Sequence, residues 1–316
     1  MRQITYIIER FDGARKFTQE YSFSHQPGKT ILWGLITIKD TLDPTLAFTA
    51  ACRSAVCGAC AIRVNGQATL ACETPLDATL DRFGDTLTLA PLQNFTVIRD
   101  LVVGWEEKTR HLADDQTWLI PQDKFSVQNG CRQSAADFKK INTQAACILC
   151  GACASECSKL TANHNDFLEP FTYSKVWKFV ADTRDKSAPE RIKAILDKGL
   201  WKCLHCAECI AKCPKGLAPG EDIARLRRLS IQMGYTDSPG ARHALAFLQD
   251  ITDTGRLNEA KLSVRSIGVL GSIKKFPLAL KLIRRGKLNP FYFPTKVKGH
   301  DQIKAILNAL KESEQP

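Results

Sequence analysis

No apolar run in this chain of 316 residues approaches the roughly 20 residues that a membrane-spanning helix requires. The most apolar stretches of its C-terminal part are broken by Arg265, Lys274, Lys275 and Lys281, so the chain is not expected to cross a membrane by itself. Its start, MRQITYIIER, goes straight into an alternating, strand-like pattern with no apolar stretch ahead of a small-residue cleavage site, and no signal peptide is expected. A G-x-G-x-x-G fingerprint is missing too, which excludes a dinucleotide site of that kind. Gly28-Lys29-Thr30 looks like the end of a phosphate-binding loop, but Phe23 stands where its first glycine belongs, and a nucleotide site is rejected there. The apolar and charged fractions are those of an ordinary globular protein long enough for two domains.

Cysteine is what the chain has in excess. Twelve of its thirteen cysteines fall into three groups of four, a clustering that argues for metal ligation in a reducing compartment rather than a disulfide framework. Cys147, Cys150, Cys153, Cys157 and Cys203, Cys206, Cys209, Cys213 each have the C-x2-C-x2-C-x3-C spacing of two-cluster ferredoxins, and Pro214 follows the second run. In such proteins the fourth cysteine of each run ligates the other cluster. The spacing therefore assigns one [4Fe–4S] cluster to Cys147, Cys150, Cys153 and Cys213, and a second to Cys203, Cys206, Cys209 and Cys157. Cys52, Cys57, Cys60 and Cys72 have the C-x4-C-x2-C…C spacing of plant-type [2Fe–2S] ferredoxins, in which a loop turns its amides toward the sulfurs. Ala55, Gly58, Ala59 and Ala61 keep bulk out of that loop. Structural zinc also uses C-x2-C pairs, but it needs pairs of pairs rather than crossed runs. The thirteenth cysteine, Cys131, reads as a buried or free thiol.

The period-2 pattern predicts strands over residues 2–10 and 16–24, joined at Asp12-Gly13. A helix is expected over 30–40 with Thr30 as N-cap, then a hairpin turning at Val64-Asn65-Gly66-Gln67, then a strand at about 86–91. The fold expected is α+β: a β-grasp [2Fe–2S] domain over 1–112, its last part a helix at 98–112, an α-helical two-cluster domain over 113–238, and a helical basic extension over 239–316. Residues 113–130 read as a connector broken by Pro121. Net charge is +11, and from Pro239 onward fourteen Lys or Arg face six Asp or Glu. That imbalance suits anionic headgroups or an acidic partner surface, and without a recognised motif it does not suit nucleic acid.

The run Leu42-Asp43-Pro44-Thr45-Leu46 leading to Cys52-Arg53, then Cys57-Gly58-Ala59-Cys60, Asn65-Gly66 and Leu70-Ala71-Cys72, resembles the iron–sulfur subunit of succinate dehydrogenases and fumarate reductases. The likeness continues through Val97-Ile98-Arg99-Asp100-Leu101-Val102-Val103, Cys147-Ile148-Leu149-Cys150 and Cys213-Pro214-Lys215-Gly216-Leu217. It implies a chain that does no carbon chemistry and passes single electrons between an FAD-containing flavoprotein and a quinone-reactive membrane anchor, part of a respiratory chain and the tricarboxylic acid cycle. The order implied is flavin, [2Fe–2S], the Cys147 cluster, the Cys203 cluster, then the acceptor. It also implies a peripheral place on the inner (cytoplasmic) membrane, by default on its cytoplasmic face, with the periplasmic face open through co-export.

Four positions depart from the common pattern. Most relatives lack a cysteine at Cys206 and carry a [3Fe–4S] third centre, whereas this chain supplies the thiolate for [4Fe–4S]. Ser158 and Leu204 replace the proline and histidine of the usual quinone site, and adjacent His205 reads as a hydrogen-bond donor beside the cluster more readily than as a substitute. Ala55 stands where a glycine is usual. The tail segments Leu280–Leu288 and Phe293–Gly299 resemble the C subunits of heterodisulfide reductases. Together these features imply an anchor similar to the cysteine-rich B subunit of heterodisulfide reductases. The alternative is an electron-transfer subunit of a heterodisulfide reductase-like or glycolate-oxidising complex.

Overall fold

The computed structural model describes residues 2–122, 126, 128, 130–163, 166–289, 291–292 and 294–313. Phe293 of the tail motif and five residues of the 113–130 connector lie outside the described residues. The chain forms two compact units, Met1–Leu226 and Arg227–Pro316.

The first unit begins with β1 (Gln3–Phe11) and β2 (Lys16–Ser24), an antiparallel pair with Phe11 opposite Lys16. Alternation along β1 sends Ile4, Tyr6 and Ile8 into the core. Helix α1 (Ile31–Thr41) packs there so closely that a Cβ on Gly34 would stand 2.5 Å from the Tyr6 hydroxyl. Thr30 does precede this helix with extended backbone, but its side chain makes no capping bond. β3 (Ala61–Val64) and β4 (Gln67–Leu70) form the expected hairpin, with Asn65 and Gly66 at φ 45° and 78°, the left-handed pair that a two-residue turn of this kind needs. After α2 (Leu76–Phe83), β5 (Thr86–Ala90) runs parallel to β1 and antiparallel to β3, giving the sheet order β2-β1-β5-β3-β4.

The helix expected over 98–112 begins later. β6 (Val97–Arg99) and β7 (Val102–Val103) pair antiparallel first, turning at Asp100 with φ 47°, and α3 (Glu106–Asp114) follows. The cause is the Asp100 carboxylate, which is buried. It accepts from Phe11 N at 3.1 Å, Ala47 N at 2.8 Å and the Arg10 guanidinium at 2.8 Å, contacts that a continuous helix could not deliver. Arg10 also donates to Asp43 at 2.8 Å and Thr45 at 3.1 Å, so this network fixes the segment that leads into Cys52.

The helical half of the unit holds α4 (Ala135–Ala145), the short α5 (Ala152–Ser155) and α6 (Ser158–Ala162), α7 (Pro170–Val180), α8 (Ala188–Leu196), the short α9 (Glu208–Ala211) and, up to Leu226, the first part of α10 (Pro219–Gln232). Asp222, fully buried, accepts from Gln144 at 2.9 Å, Ser174 at 2.8 Å and Arg225 at 2.9 Å, and so joins α4, α7 and α10. The described residues of the connector up to Pro121 are anchored. Arg191 is buried against Asp185 at 2.8 Å and donates to the carbonyl of Trp118 at 2.8 Å, while Pro121 bridges to Asp185. In the second unit α11 (Pro239–Thr254) packs on α12 (Glu259–Lys274) and on α14 (His300–Ser313), with α13 (Phe276–Arg284) between the latter two in sequence. Ser238 and Asn258 cap α11 and α12, and Gly268, at φ 74° and ψ 175°, breaks α12.

Candidate metal centres

The loop after Ala50 carries Cys52, Cys57 and Cys60 and then enters β3, and Cys72 follows β4. Its path needs left-handed backbone at Arg53 (φ 55°), Ala55 (φ 56°) and Gly58 (φ 75°). These turns aim the amides inward: Ser54, Val56 and Cys57 N–H donate to Cys52 Sγ at 3.4, 3.3 and 3.3 Å, and Ala55 N–H donates to Cys72 Sγ at 3.2 Å. The amides of Ser54, Cys57 and Val56 pull the Cys52 thiol down to about 6, whereas burial pushes Cys60 up to about 12. Cys52 and Cys57 face solvent beside the exposed Val56.

The other eight cysteines sort into two cavities. Cys147, Cys150, Cys153 and Cys213 line one, with Phe171, Pro214 and Leu217 around them. Cys157, Cys203, Cys206 and Cys209 line the other, with Phe167, Pro170 and Ile223. The two runs repeat one backbone: Leu149 and His205 both have φ 53°, Gly151 and Ala207 have φ 83° and 63°, and α5 and α9 start in each case one residue further on. Each short helix ends just before the fourth cysteine, and because α5 and α9 pack together, that cysteine reaches the opposite cavity. Burial pushes Cys150 up to about 11 and Cys209 up to about 12, and drives Cys153 and Cys157 upward as well. Buried thiols that resist ionisation, ringed by apolar side chains, fit a cationic iron core that supplies the missing positive charge. Leu217 N–H adds a bond to Cys213 Sγ at 3.3 Å.

Cys131 is half-buried and lines neither cavity. His205 and Leu204 line the second cavity, both exposed, and Ser158 opens α6. Sequence reasoning missed how the first loop meets the second run. A Cβ on Gly58 would stand 2.9 Å from both Cα and Cβ of Cys150, so the [2Fe–2S]-type loop lies directly on a cysteine of the first cavity. Asn94 Nδ2 donates to Ala154 O at 2.8 Å, Gln93 N–H donates to Ser155 Oγ at 3.0 Å, and Ala68 N–H donates to Glu156 at 3.1 Å, holding α5 against the sheet domain. Gly58-Ala59-Cys60 was the visible signal, but its partner was not.

Residues 5–110 match a family described as 2Fe-2S iron-sulfur cluster binding domain, and residues 143–217 one described as 4Fe-4S dicluster domain. The chain is 40% identical over 313 residues to the 8-methylmenaquinol:fumarate reductase iron-sulfur subunit of Wolinella succinogenes, with 97% of this chain and 98% of that one covered. It is 32% identical over 225 residues to the mitochondrial succinate dehydrogenase (ubiquinone) iron-sulfur subunit of Dictyostelium discoideum, covering 68% of this chain and 77% of the relative. A chain of the Mycobacterium smegmatis Sdh1 complex shares the fold, with a TM-score of 0.65 at 20% identity over 74% of this chain and 98% of that one. The chain belongs to the family of iron–sulfur subunits of fumarate reductases and succinate dehydrogenases.

Proposed function

We propose that this chain is the electron-transfer subunit of a quinone-linked fumarate reductase or succinate dehydrogenase, working between an FAD-containing flavoprotein and a membrane-anchor subunit. The observation that carries the reading is the distribution of cysteines. Four line each of two adjoining cavities in crossed fashion, and three of a third group of four lie on a loop that touches Cys150 through Gly58, the fourth, Cys72, following β4. Cys52, Cys57, Cys60 and Cys72 would hold a [2Fe–2S] cluster. Cys147, Cys150, Cys153 and Cys213 would hold one [4Fe–4S] cluster, and Cys203, Cys206, Cys209 and Cys157 another. When bound, such clusters accept and release one electron at a time, which matches a flavin that exchanges two. The chain's own residues insulate the route: Phe171 and Leu217 line one cavity, Phe167 and Ile223 the other, and the loop amides bond the exposed Cys52 sulfur.

Cys206 on the second cavity favours a third centre of [4Fe–4S] type, and with Leu204 and Ser158 in place of quinone-site residues it favours a cysteine-rich anchor of heterodisulfide reductase B type. The domain division proposed is 1–112, 113–238 and 239–316, the last as a docking extension. No helix of the described residues is long and apolar enough to cross a membrane, and attachment is proposed as peripheral, on the cytoplasmic face. The relative named for 8-methylmenaquinol and fumarate, matched over nearly its whole length, supports quinol-linked fumarate reduction.

Electron paramagnetic resonance on the anaerobically purified complex tests the reading. Succinate should reduce the [2Fe–2S] cluster and so bring up its signal, or fumarate should reoxidise the dithionite-reduced sample, with no [3Fe–4S] signal in the oxidised state. Clusters that respond to dithionite and to neither dicarboxylate would reject it in favour of the heterodisulfide reductase-like alternative.

A further inference from the structure

Residues 260–300 contain ten Lys or Arg and no Asp or Glu. Within this stretch, the second half of α12 and the whole of α13 leave large apolar side chains in water. Leu270 is 80% exposed, Val269 64%, Ile273 61%, Phe276 60% and Leu278 56%. A single exposed leucine is ordinary, but a run of five such side chains within ten residues marks a binding surface. Helix α13 has no buried residue at all, although Phe276, Leu278, Leu280, Leu282 and Ile283 make up more than half of it. Lys274, Lys275, Lys281 and Arg284 stand among these apolar groups, and Phe291 is 80% exposed just beyond.

Two chemistries could cover such a face, and the lysines separate them. The desolvated centre of a protein–protein interface is depleted of lysine, because a strongly hydrated ammonium cannot be buried cheaply. At a bilayer surface the same side chain lays its methylenes along the acyl chains and keeps its ammonium among the phosphates. A stretch free of carboxylates, with exposed aromatics and helices too short to span, has the composition of an interfacial segment.

We propose that residues 269–288 lie in the surface of an anionic lipid bilayer, with Leu270, Ile273, Phe276 and Leu278 inserted and Lys274, Lys275, Lys281 and Arg284 on the headgroups. This deepens the docking role proposed for 239–316: the chain itself touches lipid, in addition to any anchor subunit.

The test is flotation of the cluster-loaded full chain, without other subunits, on vesicles of phosphatidylcholine alone or with phosphatidylglycerol. The chain should float with the anionic vesicles, stay behind with the neutral ones, and be released by salt. Each basic side chain near an anionic surface contributes about 1 kcal/mol, or roughly fivefold in partitioning, so K274Q/K275Q/K281Q should weaken binding on the order of a hundredfold. The triple variant K139Q/K140Q/K193Q, on the first unit, should lose far less. L270S/F276S should also release the chain, with cluster absorbance retained as proof of folding. In F276W, emission should shift to the blue on anionic vesicles. Absence of flotation on both vesicle types, equal loss in the two lysine variants, or an indole that stays in water would each overturn the proposal. So would a chain that ignores vesicles yet binds the purified anchor subunit through these residues. None of these outcomes bears on the electron paramagnetic resonance test, so the lipid face and the electron-transfer reading fail separately.

Discussion

Ala55 shows how a single position can be read correctly and still be underestimated. The sequence places an alanine where the family resemblance leads one to expect glycine, and the backbone there is left-handed, at φ 56°. An L-residue in that conformation costs on the order of 1 kcal/mol, yet the turn delivers the Ala55 amide to Cys72 Sγ. Cys206 is the more consequential substitution. It lines the second cavity beside Cys157, Cys203 and Cys209, and its side chain is exposed at the cavity edge. Replacing Cys206 by Ile should leave three thiolates there and shift the third centre toward a [3Fe–4S] form. The measurement is an oxidised-state paramagnetic signal in the variant, expected to be absent from the native protein. Two full [4Fe–4S] centres in the variant would show that another residue completes the site.

At the scale of elements, the loop carrying Cys57 and the run carrying Cys150 meet backbone to backbone at Gly58. Two independent restrictions act on this position. Its φ of 75° suits glycine, and any Cβ would collide with Cys150. Gly58→Ala should therefore cost about 1–2 kcal/mol from backbone strain alone, with a further loss from the contact. The expected readouts are a lower denaturation midpoint for bleaching of the clusters and slower reduction of the cubane centres after the [2Fe–2S] centre, measured by rapid-freeze spectroscopy. Unchanged kinetics would mean that the loop relaxes without altering the path between the two sites. Gly151 is restricted in the same way, by φ 83° and by the Phe95 ring 2.8 Å from an added Cβ.

At the scale of the molecule, the two halves of the first unit are joined by charge as well as packing. Glu169, fully buried at the start of α7, accepts from His111 of α3 at 3.1 Å and pairs with Lys108 at 3.0 Å. The hydrogen bond to Glu169 holds the His111 imidazolium proton more tightly than the usual 6.5, against the opposing effect of burial. Burial works to raise Glu169, but His111 and Lys108 together hold it below its usual 4.5. A raised histidine adds stability below its ordinary value and loses it as pH climbs through the raised one. A depressed carboxylate adds stability above its ordinary value and loses it in acid. The pair thus contributes fully between pH 4.5 and 6.5 and fades on the alkaline side as His111 deprotonates. Denaturation midpoints measured against pH should fall above 6.5 in the native chain and lose that slope in His111→Gln; an equal slope in both would place its origin elsewhere.

Much of this was legible in one dimension. Cysteine spacing is a local property, and the repeated C-x2-C-x2-C-x3-C pattern carries its crossing with it, because a short helix that carries the third cysteine turns the fourth away. Alternation in β1 and the Asn65-Gly66 turn are local as well, and they specified the hairpins. The helix expected at 98–112 failed because apolar residues there are compatible with either period, and the outcome depended on Asp100 finding Arg10 and Ala47, 90 and 53 residues away. The same holds for Gly58 on Cys150 and for His111 on Glu169. By itself the sequence determined which residues can hold iron and how they divide into three groups, since ligand type and spacing belong to the covalent chain. Only the tertiary structure decided which groups adjoin and which apolar face stays in water, since both depend on contacts between residues that no sequence interval connects.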